Sequence, residues 1–337
     1  MNLFTVAAIQ MLSGITLEKN LSRAQALINQ AAAKGAQLVL LPEYFCLMGS
    51  NELDKVKIAE PLGNGPIQTM LANTAKKNKI WLIGGTVPII TENDTQEDSC
   101  TTVVSKSKTR SSQQQHVDAV HEHSEYRTTA NLERLAGSTS VSKVRNTSVV
   151  YNPDGDLVQH YDKIHLFSYQ GESENFDEAH TIVAGQQTAT CFINTPLEVL
   201  HIGLSVCYDL RFPELYRQMG KPNPLDLIVV PAAFTYATGQ AHWEVLLRAR
   251  AIENQCYVLA AAQGGIHENG RQTWGHSMLI DPWGKILAQL ENGEGIVSGN
   301  IDRKHIDTIR KNLPTLTHQQ DLRKMVLSKR ANADRTQ

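Results

Sequence analysis

Apolar and polar positions alternate along this chain in two periods. Phe4 to Gln10 reads as an immediate buried strand, and Leu17 to Lys34 then carries Leu17, Leu21, Ala24, Ile28 and Ala31 at helical spacing. Thr16 is placed to cap the start of that helix and Gly35 to end it. The same unit repeats: strands at Gln37–Leu41 and Ile80–Gly84 enclose a helix over Gly65–Lys77. Further strands are predicted at Asn146–Tyr151, Leu157–Lys163, Val199–Cys207, Asp226–Pro231, Cys256–Ala262 and Ser277–Ile280. Strands at both ends of the chain are continuous apolar runs, as expected where helices cover a sheet. Turns such as Asn152-Pro153-Asp154-Gly155 and Asp281-Pro282-Trp283-Gly284 add hairpins. The fold class this predicts is a layered α/β fold.

One segment departs from the pattern. Residues 91–142 hold 17 Ser or Thr among 52 and only nine Ile, Leu, Val, Tyr or Cys, too few to offset the entropy of ordering them. It reads as a polar insertion, with a short helix around Asn131–Leu135, that is inert, partner-binding or a lid; composition favours inert. His116 and His121-Glu122-His123 within it read as a solvated polar loop rather than a metal site, since nothing rigid holds them. Residues 1–322 are thus one interrupted domain, and the basic residues 323–337 a frayed tail.

Composition narrows the function. With 32 Lys plus Arg against 34 Asp plus Glu in 337 residues, the chain lacks the basic balance of a nucleic-acid binder. No apolar run is long enough to span a bilayer, and the N-terminus has no signal-peptide core, so no membrane partner is expected. Five widely spaced cysteines without a C-x-x-C pair fit a reducing cytoplasm and exclude a zinc ribbon.

Three strand ends carry candidate chemistry. The apolar strand from Val199 stops at Cys207, and Tyr208-Asp209-Leu210-Arg211-Phe212-Pro213 opens a helix. A thiol there meets free N–H groups and a favourable dipole, both of which favour thiolate; the alternative is a small buried hydrophobe. The strand at Gln37–Leu41 runs into Pro42-Glu43-Tyr44-Phe45, where desolvation would suit Glu43 to a general base; a capping or surface glutamate is the alternative. Lys163, at the end of Leu157–Asp162, is either a site ammonium or a snorkelling surface lysine. Ser205 in Gly203-Leu204-Ser205-Val206 sits one step inside its strand and is discounted as a nucleophile; Cys256 is left in the core.

Glu, Lys and Cys at three strand ends resemble the nitrilase, or carbon-nitrogen hydrolase, superfamily, over nearly the whole chain apart from the insertion. The resemblance implies a four-layer α-β-β-α sandwich and a catalytic set of Glu43, Lys163 and Cys207. A second glutamate maps onto Glu178 in Phe176-Asp177-Glu178-Ala179, with Glu172 and Glu174 as competitors. It also implies a mechanism. Glu43 takes the thiol proton and Cys207 attacks the amide carbon. Lys163 and the Tyr208 N–H hold the oxyanion, and a thioester is then hydrolysed, with no metal or organic cofactor.

The run Arg250-Ala251-Ile252-Glu253-Asn254-Gln255-Cys256-Tyr257-Val258 and Trp274-Gly275-His276-Ser277-Met278 are similar to the amidase branch containing deaminated glutathione amidase and omega-amidase. That likeness implies hydrolysis of a terminal carboxamide on a small 2-oxo acid, deaminated glutathione before 2-oxoglutaramate, with ammonia released. A true nitrilase or a silent binding protein are the competing readings. Arg211 is the candidate for gripping the substrate carboxylate, with pairing to Glu214 as its alternative, and Phe234 and Thr238 match pocket-lining positions. The loop Ser168–Asn175 departs from the pattern of these relatives. A small-molecule amide substrate and a homodimer or larger homo-oligomer are the expected partners.

Overall fold

The computed structural model describes residues 3–91, 143–171, 175–195 and 198–320. The insertion from residue 92 on, with its expected helix and its histidines, lies outside these residues. So do Cys100, Glu172, Glu174 and the basic tail.

Chain order builds two sheets in succession. Strand β1 (Phe4–Gln10) leads into α1 (Leu17–Ala33), β2 (Leu38–Leu40), the short α2 (Asp54–Lys57), α3 (Pro66–Asn78), β3 (Trp81–Ile83) and β4 (Val87–Ile90). Strands β5 (Val144–Tyr151) and β6 (Leu157–Asp162) follow, then a hairpin of β7 (Ser168–Gln170) and β8 (Asn175–Asp177). The second sheet starts with β9 (Ala189–Asn194) and β10 (Val199–Leu204), and continues through α4 (Pro213–Met219), β11 (Leu227–Ala232), α5 (Tyr236–Asn254) and β12 (Tyr257–Ala262). A hairpin, β13 (Gly264–Ile266) and β14 (Gln272–Trp274), precedes β15 (Ser277–Ile280) and β16 (Ile286–Leu290). Strand β17 (Gly295–Ile301) returns to the first sheet, and α6 (Arg303–Asn312) and α7 (Thr315–His318) close the described chain.

The first sheet runs β17-β1-β2-β3-β5-β4 with β6 on β5, and the second β16-β15-β12-β11-β10-β9. Each has a parallel centre, β1-β2-β3 in one and β10-β11-β12 in the other, flanked by antiparallel strands. Alternation along β1 shows how the layers stack. Phe4, Val6 and Ala8 join the core shared with the second sheet, while Ala7 and Ile9 face the core under α1 and α3. The result is helices, sheet, sheet, helices.

Helix α1 buries Ala24, Leu27, Ile28 and Ala31, one face at i, i+3, i+4 and i+7. Thr16 has the extended backbone of an N-cap, but its side chain makes no capping hydrogen bond, contrary to expectation. The end follows the expected form. Gly35 takes φ +93°, its N–H donates to Ala32 O, and the Ala36 N–H donates to Ala31 O. Helix α5 buries Trp243, Leu247 and Ala251 and leaves Leu246 half-buried, with an exposed Glu244–Arg248 pair at 3.2 Å. The strand expected to reach Cys207 stops at Leu204, and Cys207–Arg211 is a 3-10 turn. Among the described residues no helix is long and apolar enough to cross a membrane.

Candidate active site

Backbone close approaches set the stage. Glu43 follows β2, and the turn after β3 passes so near it that a Cβ on Gly85 would lie 2.1 Å from Pro42 O. Gly85 also takes φ +53°, so a larger residue fails there on two counts. Thr86, next along, accepts the Tyr44 N–H at 3.0 Å. Lys163 follows β6 and is pinned on both sides: its N–H donates to Asn146 O and its carbonyl accepts from the Gly185 N–H. A Cβ on Gly185 would meet Asp162 O at 2.2 Å.

These anchors bring together a charged cluster whose lysine is fully buried. Lys163 Nζ donates to Glu43 Oε1 at 3.0 Å and to Glu178 Oε1 and Oε2 at 2.9 and 2.7 Å. Snorkelling is therefore excluded for Lys163, which has no exposed surface. Glu43 also accepts from Asn146 Nδ2 at 2.9 Å and from the Ala233 N–H at 3.0 Å. Glu178, opening a 3-10 turn at Glu178–His180, accepts from Tyr44 Oη at 2.7 Å and the Phe167 N–H at 2.8 Å. Burial acts to lower the Lys163 pKa, but the carboxylates of Glu178 and Glu43 outweigh it and raise it above the usual lysine value. Burial likewise acts to push Glu178 up, and the Lys163 ammonium with its hydrogen bonds holds it below the usual carboxylate range. The cluster is thus an ammonium clasped by two carboxyl groups.

Cys207 lies beside it, 8% exposed, with a left-handed backbone at φ +49°. A non-glycine residue in that region costs on the order of 1–3 kcal/mol, a strain typical of functional turns. The thiol pKa departs from the expectation of a helix-activated thiolate. Burial and the nearby Glu43 carboxylate raise it well above the usual value, against a smaller opposing effect of Lys163. At rest the group is a thiol that needs a base. Ser205, discounted as a nucleophile, is fully buried and committed to Val229 O and Tyr216 Oη. Cys256 has no exposed surface, and burial raises its pKa.

Cys207 opens into a narrow recess lined by Phe167, Tyr208, Arg211, Ala233, Phe234 and Thr238, so all three expected substrate-pocket residues gather at the thiol. The Arg211 guanidinium lies 5.6 Å from the Tyr208 ring centroid and 5.4 Å from that of Phe234. Its Nη1 is 3.3 Å from His242 Nδ1; the alternative pairing with Glu214 is not made.

Several residues that sequence reasoning missed complete the arrangement. Asp209 is fully buried and accepts from the Val206 N–H, Tyr161 Oη, the His165 N–H and His165 Nδ1 at 2.9, 2.9, 3.0 and 2.7 Å. It ties the Cys207 turn to the segment carrying Lys163. His165 in turn stacks on Phe212 with centroids 3.7 Å apart. Tyr44 and Asn146 orient the two glutamates, and their roles depend on partners more than 100 residues away in sequence.

Comparison with known proteins agrees with this geometry. The family model for carbon-nitrogen hydrolases matches residues 5–144 and 132–311. The chain belongs to the carbon-nitrogen hydrolase family. It is thus a hydrolase of carbon-nitrogen bonds other than peptide bonds. Deaminated glutathione amidase of Synechocystis is 34% identical to it over 94% of this chain and 97% of that protein. The enzyme of the same name from Yersinia enterocolitica is 33% identical over 93% and 92%. Among solved structures, Saccharomyces cerevisiae Nit3, a member of branch 10 of the nitrilase superfamily, superposes with a TM-score of 0.70 at 27% identity, covering 92% of this chain and 94% of that one.

Proposed function

We propose that this carbon-nitrogen hydrolase is a cysteine-nucleophile amidase acting on deaminated glutathione. The observation that carries the reading is the arrangement itself: Glu43 and Lys163 paired at 3.0 Å beside the buried Cys207 thiol, which opens into a recess lined by Arg211. The full-length likeness to deaminated glutathione amidases supports the choice of substrate.

Glu43 accepts the thiol proton as Cys207 Sγ attacks the amide carbon. Lys163 and the Tyr208 backbone N–H receive the charge developing on oxygen. Protonated Glu43 then hands its proton to the departing amine, leaving a thioester that water cleaves. Glu178 keeps Lys163 in place as an ammonium. Arg211, with Phe234 and Thr238, takes the 2-oxo acid carboxylate.

One expectation changes on chemical grounds. In deaminated glutathione the amide joined to the 2-oxo acid is a secondary one, and its amine partner is cysteinylglycine. Its hydrolysis therefore frees the dipeptide, and ammonia is the product only for a primary amide such as 2-oxoglutaramate.

The test is product release by purified protein from both compounds. A kcat/KM at least tenfold higher for deaminated glutathione, about 1.4 kcal/mol of discrimination, supports the reading. Preference for 2-oxoglutaramate makes the chain an omega-amidase. Silence on both, with slow alkylation of Cys207, leaves a binding protein.

Two further features belong to this reading. Val245 and Ile252 on α5 and Trp283 are 68, 50 and 62% exposed, which suits a homodimer packed through this face, and light scattering reads the mass directly. The four described cysteines are unpaired and buried, which suits a reducing cytoplasm.

A further inference from the structure

A second chamber adjoins the recess at Cys207. It is a cavity of about 420 Å3 bordered by Tyr44, Glu178, Phe167, Phe176, Lys55 and Arg271. Phe167 lines both spaces, so one aromatic ring forms their common wall. Arg271 joins them a second time, because its Nη2 donates at 3.2 Å to the carbonyl of Ala233, a residue of the recess.

The two cations of this chamber have no anionic partner among the described residues. The Arg271 guanidinium rests 5.0 Å from the Phe176 ring centroid, and besides Ala233 O it reaches Met48 Sδ at 3.8 Å. Its Nε–H is buried and has no hydrogen-bond partner among the described residues. Lys55 is half-buried, with Nζ 5.5 Å from the Tyr44 ring centroid. Burial, with Lys163 and Arg271 nearby, lowers its pKa against the pull of Glu178 and Glu52. The carboxylates of the chamber are engaged elsewhere or lie at its mouth. Glu178 is held by Lys163 and Tyr44, Asp177 accepts the Ala179 N–H, and Glu52 is exposed. A buried guanidinium donor and a half-buried ammonium, set together without a counter-ion among the described residues, are costly unless a ligand supplies one.

We propose that Lys55 and Arg271 bind the carboxylate at the far end of the leaving fragment, while Arg211 holds the carboxylate of the acyl fragment. The inference rests on the amidase reading above and adds to it a determinant of substrate length. In cysteinylglycine the free carboxylate lies two residues from the amine that departs, about 7 Å in extended chain. That span carries it from the recess past Phe167 into the second chamber. A primary amide of the same 2-oxo acid has no group to place there.

The experiment uses the whole protein with three substrates: deaminated glutathione, the methyl ester of its glycine carboxyl, and 2-oxoglutaramate. Wild type is expected to turn over the free acid with kcat/KM at least tenfold above the ester, the loss residing in KM. Arg271→Gln and Lys55→Gln are each expected to shrink that acid-to-ester ratio several-fold. A wild-type ratio near one overturns the proposal, because it needs no variant to fold. So do variants that lower acid and ester by the same factor, which marks a merely structural role. Wild-type silence on all three substrates is different: it removes the amidase reading, and this inference with it.

Discussion

Two buried ion clusters sit at opposite ends of the second sheet, and only one of them is a site. Before β11, Asp226 accepts from Arg303 Nη1 at 2.8 Å, Arg310 Nη1 at 3.3 Å and the His201 N–H at 3.0 Å. Every group there is committed, and the cluster fastens α6 to the sheet. Beyond β10, Lys163, Glu43 and Glu178 are buried more deeply than those two arginines and are as well paired. What differs is the company: a strained thiol beside them, and two hollows opening on them. Buried charge alone therefore does not mark chemistry. A reactive group left uncommitted next to that charge does.

Substitutions sharpen this contrast. The largest effect is expected for Cys207→Ala, which should lower kcat by about a thousandfold or more while the melting temperature moves little, since only a sulfur is lost. A fall in stability as large as the fall in activity would erase the distinction drawn here. Lys163→Met should cost both properties. It leaves two carboxyl groups facing each other without their cation, a loss of about 3–5 kcal/mol in denaturant unfolding. Asp226→Asn should separate them the other way, lowering stability by about 1–3 kcal/mol with kcat preserved. The smallest effect is a pH dependence. Because Glu178 is held below its ordinary value of 4.5, its contribution to stability is present above that pH and is lost as pH falls through the folded value. The stability advantage of wild type over Glu178→Gln should accordingly narrow in melting curves taken below about pH 4.5.

The layered fold was legible because it is written in short-range periodicity. Strands β1 and β15 fall where alternation and apolar runs place them, and the buried stripe of α1 follows its spacing. The positions of Glu43, Lys163 and Cys207 at strand ends were legible for the same reason. Local reasoning failed where the cause is remote. A thiol at a helix start reads as activated, yet burial between the sheets, with carboxylates delivered by β2 and by the turn after β8, reverses the direction. Asp209, Asn146 and Arg271 look like ordinary surface polar residues until strands far apart in sequence converge on them. Thr16 shows the converse, a residue type suited to capping whose hydroxyl does not cap.

The hydrogen bonds of Glu43 also bear on how the molecule comes into being. Its carboxylate is completed by Lys163, 120 residues on, and by the backbone of Ala233, 190 residues on. The Lys163 contact closes within the first sheet, but the Ala233 contact forms only once both sheets have stacked, and such distant closures come late and slowly. A nascent chain emerging from the ribosome therefore carries its cysteine for some time before that cysteine has a base. The hydrolytic machinery switches on as one of the last acts of folding, so recovery of activity after dilution from denaturant reports completion of the whole sandwich.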